Sequence, residues 1–185
     1  MRRARATCEP PRSAPPLRHE TTAGNYFVAN YPPFSVWTPE AVATDARAAL
    51  HQAPVPGTPL GLYMHIPFCR KRCKFCYFRV YTDKNSEDIG GYLNALATEV
   101  ELYAEKPAVA GRPLKFVYFG GGTPSYLSVR QLEGLVSRVQ AALPWTGAEE
   151  ITFECEPGTL TRSKLEAIRG IGVTRLSLGV ENFDD

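Results

Sequence analysis

From Leu60 onward the chain alternates short apolar runs with stretches of helical periodicity. Leu60 to Ile66 puts Leu60, Leu62, Met64 and Ile66 on one side and Gly61, Tyr63 and His65 on the other, the period of two expected of a strand. A helix is predicted from about Ser86, read as an N-cap backed by Glu87 and Asp88, with Ile89, Tyr92, Leu93, Leu96, Val100 and Tyr103 at helical spacing. A second strand, Lys115 to Phe119, ends in three glycines. Ser128 and Gln131 then form a capping box, and Leu132, Leu135, Val136, Val139 and Leu143 make one apolar stripe behind it. A third strand is predicted over Glu150 to Cys155, a helix over about Arg162 to Arg169, and a fourth strand over Arg175 to Val180. Strands and helices in strict alternation imply an α/β fold with a parallel, helix-covered sheet, and in barrels of this kind the chemistry gathers at the C-terminal ends of the strands.

The first part of the chain has a different texture. Residues 1–24 are rich in Arg and Pro without apolar periodicity and read as a flexible leader. Residues 25–59 read as an N-terminal extension and linker. Tyr26, Phe27, Tyr31, Phe34 and Trp37 are expected to lay their rings on the domain surface. Thr38 as N-cap and Pro39 at the first helical position start a short helix to about Leu50, and a Pro/Gly-rich linker runs from Ala53 to Pro59. The domain proper is expected over residues 60–185.

Composition narrows the class. With 185 residues, 44% of them hydrophobic, and a net charge of +2, the chain has enough apolar content for one core and no charge excess of the kind nucleic-acid binding requires. No apolar run reaches membrane-spanning length and the N-terminal arginines lack a following apolar run, so neither a membrane partner nor a secretory signal is expected.

The informative chemistry is three cysteines in eight residues, Cys69, Cys73 and Cys76. A four-iron cubane cluster is usually held by four thiolates, so a triplet leaves one iron open to a small molecule. A structural zinc site wants four ligands, normally in two pairs, and the remaining cysteines are Cys8 in the leader and Cys155 alone in a strand, which reads as a small core residue. An odd total of five cysteines argues against a disulfide framework. A thiolate-held cluster favours a reducing, cytoplasmic compartment.

The spacing Cys-x3-Cys-x2-Cys resembles the signature of the radical S-adenosylmethionine (SAM) superfamily. The lead-in Tyr63-Met64-His65-Ile66-Pro67-Phe68-Cys69 is similar to that of the oxygen-independent coproporphyrinogen III oxidase family, which includes haem chaperones and class C radical methyltransferases. Three later segments fit in order: Phe119 to Ser125 around Gly120-Gly121-Gly122-Thr123-Pro124, Glu154 to Pro157, and Arg175 to Glu181. The resemblance implies a partial TIM-type (β/α) barrel. Four of its strands are present, so the chain is expected to be the N-terminal portion of a radical SAM core, truncated before its last units. It implies Cys69, Cys73 and Cys76 as ligands of a 4Fe-4S cluster, and Tyr63, Phe75, Gly121, Gly122, Thr123, Glu154 and Glu181 as SAM-binding residues. Arg70, Lys71, Arg72 and Lys74 either offset cluster charge or are solvated loop charges, and Glu156 ranks below Glu154 as a ligand contact.

The implied activity is that of a radical SAM oxidoreductase that cleaves SAM reductively, acts on a tetrapyrrole or similar planar molecule in porphyrin biosynthesis, and takes electrons from a flavodoxin or ferredoxin. The alternatives are a haem chaperone and a class C methyltransferase. Two departures weigh against strict coproporphyrinogen oxidation: Glu181 replaces the family's glutamine, and Phe78 replaces a fourth cysteine. Substrate determinants are expected outside this stretch of sequence, so the chain alone is not expected to be a complete enzyme.

Overall fold

A computed structural model describes residues 37–76 and 78–180. The expectations for the leader, for Tyr26, Phe27, Tyr31 and Phe34, for Cys8 and for Glu181 fall outside those residues. The chain divides into two units, Met1–Ala46 and Arg47–Asp185. Helix α1 covers Pro39–His51, with Ala41 N–H donating to the Thr38 hydroxyl, and buries none of its residues.

The second unit is built on four parallel strands: β1 Leu60–Ile66, β2 Leu114–Gly121, β3 Glu150–Cys155 and β4 Arg175–Leu178. They lie side by side in chain order, β1-β2-β3-β4. Helices α2 Ser86–Ala104, α3 Val129–Ala142 and α4 Arg162–Gly170 make the crossovers. A sheet whose strands advance in one direction, each beside its predecessor, is wound as a barrel is wound; a doubly wound sheet would reverse.

Alternation along the strands decides what each face does. Met64, Ile66, Val117, Phe119, Ile151, Phe153 and Cys155 are buried in one core with α2 and α3 residues such as Leu93, Val100, Leu132 and Val139. Phe119 sits at its centre, edge-on to Trp145 at 6.1 Å and against Phe153 at 5.0 Å. The polar set, Tyr63, His65, Tyr118 and Glu154, occupies alternate positions on the same strands. Arg138 of α3 grips Glu101 of α2 with Nη2 2.8 and 2.9 Å from its two oxygens, which clamps the two helices together.

Several boundaries differ from the sequence expectation for identifiable reasons. The N-cap of α2 is Asn85, whose Oδ1 accepts from Glu87 and Asp88 N–H at 2.8 and 2.9 Å; Ser86 is already helical. Tyr103 is exposed and its hydroxyl donates to Glu99. Strand β2 runs on through Gly120 and Gly121, because the parallel register continues opposite His65 and Ile66 and buried backbone groups need partners. Strand β4 stops at Leu178, two residues early. The Ser128–Gln131 capping box forms as expected. On α4 the order of burial is inverted: Lys164 is buried while Leu165 is exposed.

The packing sets a test of which side chains hold the fold. Phe119→Ala should cost about 3–5 kcal/mol, as expected for a fully buried aromatic. Leu165→Ala should stay within about 1 kcal/mol despite its apolar side chain. Urea unfolding midpoints of the two variants measure the contrast.

Candidate functional site

The C-terminal ends of the strands carry the chemistry, and the backbone fixes their spacing. Beyond β1 and β2 the pairing persists: Gly122 N–H donates to Ile66 C=O and Thr123 N–H to Phe68 C=O, both at 2.8 Å. The cysteine loop therefore starts hydrogen-bonded to the glycine loop. It also closes on itself, since Tyr81 N–H donates to Pro67 C=O at 2.8 Å and Cys69 N–H to Tyr81 C=O at 3.1 Å. Tyr92 of α2 braces this end of β1, its hydroxyl donating to His65 C=O at 2.6 Å.

Two glycines are required by contact. Gly121 has φ of +115°, and a Cβ there would lie 2.8 Å from the His65 ring. A Cβ on Gly122 would lie 2.8 Å from Cys69 Sγ and 2.9 Å from Phe68 O. The glycine loop can thus lie flat against the first thiol.

A cleft of about 910 Å³ opens on this rim. Cys69, Cys73, Cys76, Phe75, Gly121, Gly122, Thr123 and Glu154 all line it. Cys69 is buried, Cys76 half-buried and Cys73 exposed. Thr123 Oγ1 donates to Cys69 Sγ at 3.4 Å. Burial pushes the Cys69 thiol up from its ordinary pKa, the Thr123 bond opposes, and Cys76, Cys73 and Glu156 add to the rise. Among the described residues no three His, Cys, Asp or Glu side chains converge to hold a metal ion, so the loop has to tighten before three thiolates could share one centre. The donor set suits such a centre: three thiols on one loop, one of them exposed, beside a glycine loop that leaves space.

Tyr63 is not among the residues that line the cleft, and it is exposed. Its ring stacks on Tyr118 at 5.8 Å and its hydroxyl lies 3.0 Å from His65 Nδ1. Burial and the charge of Glu154 raise its pKa. Tyr118, which the sequence reading did not single out, holds Glu154: its hydroxyl donates to Oε1 at 2.7 Å, while Gly121 N–H donates to Oε2 at 3.1 Å. Alternation along β2 was the available signal, since Tyr118 shares the face of Gly120 and opposes Phe119. Glu154 faces away from Phe153 and Cys155, as alternation requires, and its donors are protein groups. Cys155 is buried, and burial pushes its thiol to about 11, with Lys164 opposing the rise and Glu154 adding to it. Arg70 points to Glu156 rather than toward the thiols. Glu181 lies outside the described residues.

The Tyr118–Glu154 bond makes a pH prediction. The carboxylate that accepts from Tyr118 pushes its phenol from 10.0 up to about 12, with burial adding to the shift. A phenol with a raised folded pKa stabilises the fold fully below about pH 10, and that contribution is lost as the pH climbs toward 12. Tyrosinate absorbance should show a group ionising near 12 that Tyr118→Phe deletes and Glu154→Gln returns toward its ordinary value. A high-pH step that Glu154→Gln leaves unmoved would mean the bond does not form in solution.

The family model of the radical SAM superfamily matches residues 63–185. The chain is 34% identical, over 84% of its length and 33% of the relative's, to an oxygen-independent coproporphyrinogen III oxidase of Synechocystis sp.. It is 35% identical, over 69% of its length and 33% of the relative's, to the heme chaperone HemW of Escherichia coli. Among solved structures it matches coproporphyrinogen III oxidase (HemN) from Escherichia coli, described as a radical SAM enzyme, with a TM-score of 0.63 and 30% identity over 80% of this chain and 32% of that one. The chain spans about a third of the length of these relatives. Its cysteine and glycine loops meet at the rim of a four-stranded parallel sheet, and the family model covers both, so the chain belongs to the radical SAM superfamily, among relatives of the oxygen-independent coproporphyrinogen oxidases and HemW.

Proposed function

We propose that this chain carries the cofactor-binding part of a radical SAM enzyme related to coproporphyrinogen III oxidase. The observation that carries the reading is the cleft on which the three thiols, the glycine loop and Glu154 meet. Cys69, Cys73 and Cys76 would hold a 4Fe-4S cluster. Bound there, a reduced cluster would supply the one-electron chemistry for reductive cleavage of SAM.

The protein's part is to bind, orient and exclude. Gly122 brings backbone beside Cys69 with no side chain intervening, Gly121 carries the loop past His65, and Thr123 adds a hydroxyl on Cys69 Sγ. Glu154 accepts hydrogen bonds from ligand hydroxyls in an orientation set by Tyr118 and Gly121. Phe75, 67% exposed on the cleft wall, provides an apolar contact for the cofactor, and Tyr63, on the strand that leads into the cysteine loop, is a further SAM contact. Glu181, outside the described residues, is assigned to the set from its sequence motif. In the whole protein the substrate is a tetrapyrrole or another planar conjugated molecule, and a flavodoxin or ferredoxin in a reducing cytoplasm supplies electrons. No described helix is long and apolar enough to cross a membrane.

A second reading, a haem chaperone, is favoured by the near-equal identities to an oxidase and to HemW of one organism, 36% and 35%. The two readings share the cluster and diverge in turnover.

Anaerobic reconstitution of the chain with iron and sulfide should give roughly four irons and broad visible absorption. Alanine at Cys69, Cys73 or Cys76 should abolish this, whereas Cys8→Ala and Cys155→Ala should leave it intact. A stable zinc site without iron uptake would overturn the assignment.

Glu154→Ala should weaken SAM binding tenfold or more, the effect of losing about 1.5–3 kcal/mol of charged hydrogen bonding, with iron content unchanged. Equal SAM affinity in the variant would remove Glu154 from the site. In the complete protein, dithionite-reduced enzyme should form 5′-deoxyadenosine slowly even without substrate. Stoichiometric haem binding with no deoxyadenosine formed would instead favour the chaperone.

A further inference from the structure

Within residues 70–76 the described hydrogen bonds stay inside the loop, with one exception. Arg72 donates to Cys76 C=O, and Cys76 N–H donates to Cys73 C=O. Arg70, directly after Cys69, reaches out: its Nη2 lies 2.7 Å from Glu156 Oε1. Gly158 makes room for it, since a Cβ there would lie 2.8 Å from Arg70 Nη2.

The far end of this contact is unusually well anchored. Glu156 N–H donates to Ser125 Oγ at 3.0 Å, and its carbonyl accepts from Thr159 Oγ1 at 2.8 Å. Ser125 Oγ and Thr159 Oγ1 share a 2.5 Å hydrogen bond. Behind them Lys164 Nζ donates to Ser125 C=O at 3.0 Å, and Lys164 is only 7% exposed. Burial holds the Lys164 pKa below the ordinary lysine value, so the group is retained against a desolvation cost.

We propose that Lys164, Ser125, Thr159 and Glu156 form a polar strut that reaches Arg70 and positions the Cys69–Cys73 half of the cysteine loop against the third strand. Arg70 and Glu156 are positioning residues: they touch no reacting atom and act through the placement of the thiols. An exposed ion pair is normally weak because two long side chains must be ordered. Here the backbone that carries the carboxylate is already fixed by the turn, so the ordering cost is confined to the Arg70 and Glu156 side chains. What the loop is held for rests on the proposed function. That it is held can be tested on the metal-free chain.

Hydrogen–deuterium exchange of the peptide covering residues 69–76 is the measurement. R70A and E156A should each speed exchange about two- to fivefold, the range an exposed ion pair allows. Because each acts through the other, R70A/E156A should be no faster than the single variants. Gly158→Ala keeps both charges but displaces the guanidinium, so it should reproduce the effect with the thermal melting midpoint unchanged. Iron uptake during reconstitution should slow by a similar factor in all four variants. Wild-type exchange in both single variants, or a double variant whose rate is the product of the two, would overturn the strut. Failure of the wild-type chain itself to take up iron would count against the cluster reading alone.

Discussion

The rim depends on parallel backbone pairing that outlasts the strands. Ile66 and Phe68 carbonyls accept from Gly122 and Thr123, so the segment bearing the first cysteine and the segment bearing the glycines are held at backbone distance. At that separation no Cβ fits between Gly122 and Cys69 Sγ. Any side chain there would have to break the pairing or push the thiol outward. The glycine run is thus a steric condition for the position of Cys69, and the cleft inherits its floor from that contact.

Around this floor the described acceptors are satisfied by protein donors. Glu154 takes Tyr118 and Gly121, Glu156 takes Arg70, and Cys69 takes Thr123. No buried side-chain nitrogen or oxygen among the described residues lacks a partner. Burial pushes both Cys69 and Cys155 toward the neutral form. A centre that binds thiolates must therefore displace a proton from Cys69 as it forms, which couples loading to pH.

Much of this was legible because the relevant signals are local. The bounds of the first and third strands, the Ser128 capping box and the placement of the cysteine loop, the glycines and Glu154 at strand ends follow from period-two alternation and short-range hydrogen bonding. What escaped depends on partners distant in sequence. The extension of the second strand through Gly120 and Gly121 is dictated by His65 and Ile66 across the sheet, which no propensity for glycine would suggest. Lys164 is buried because Ser125 C=O waits for it, and its apolar neighbour Leu165 is turned outward as a result. Asn85 displaces Ser86 as the cap because both side chains can accept, and only the path of the backbone chooses between them.

The same long-range logic bears on Glu154. A carboxylate offers about four acceptor positions, and Tyr118 and Gly121 use two of them. Two donors on different oxygens fix the plane of the group, and the remaining lone pairs are then presented in a set direction, already desolvated on the protein side. A ligand hydroxyl entering the cleft would meet an acceptor that needs no reorientation, and much of the entropic cost of the contact is met by the fold itself. Tyr118 shares the sheet face of Tyr63, and the two stacked rings form a rigid layer under the carboxylate. The rigidity of the acceptor thus originates in an aromatic pair below the site, and it reaches the cleft through a single phenolic hydrogen bond.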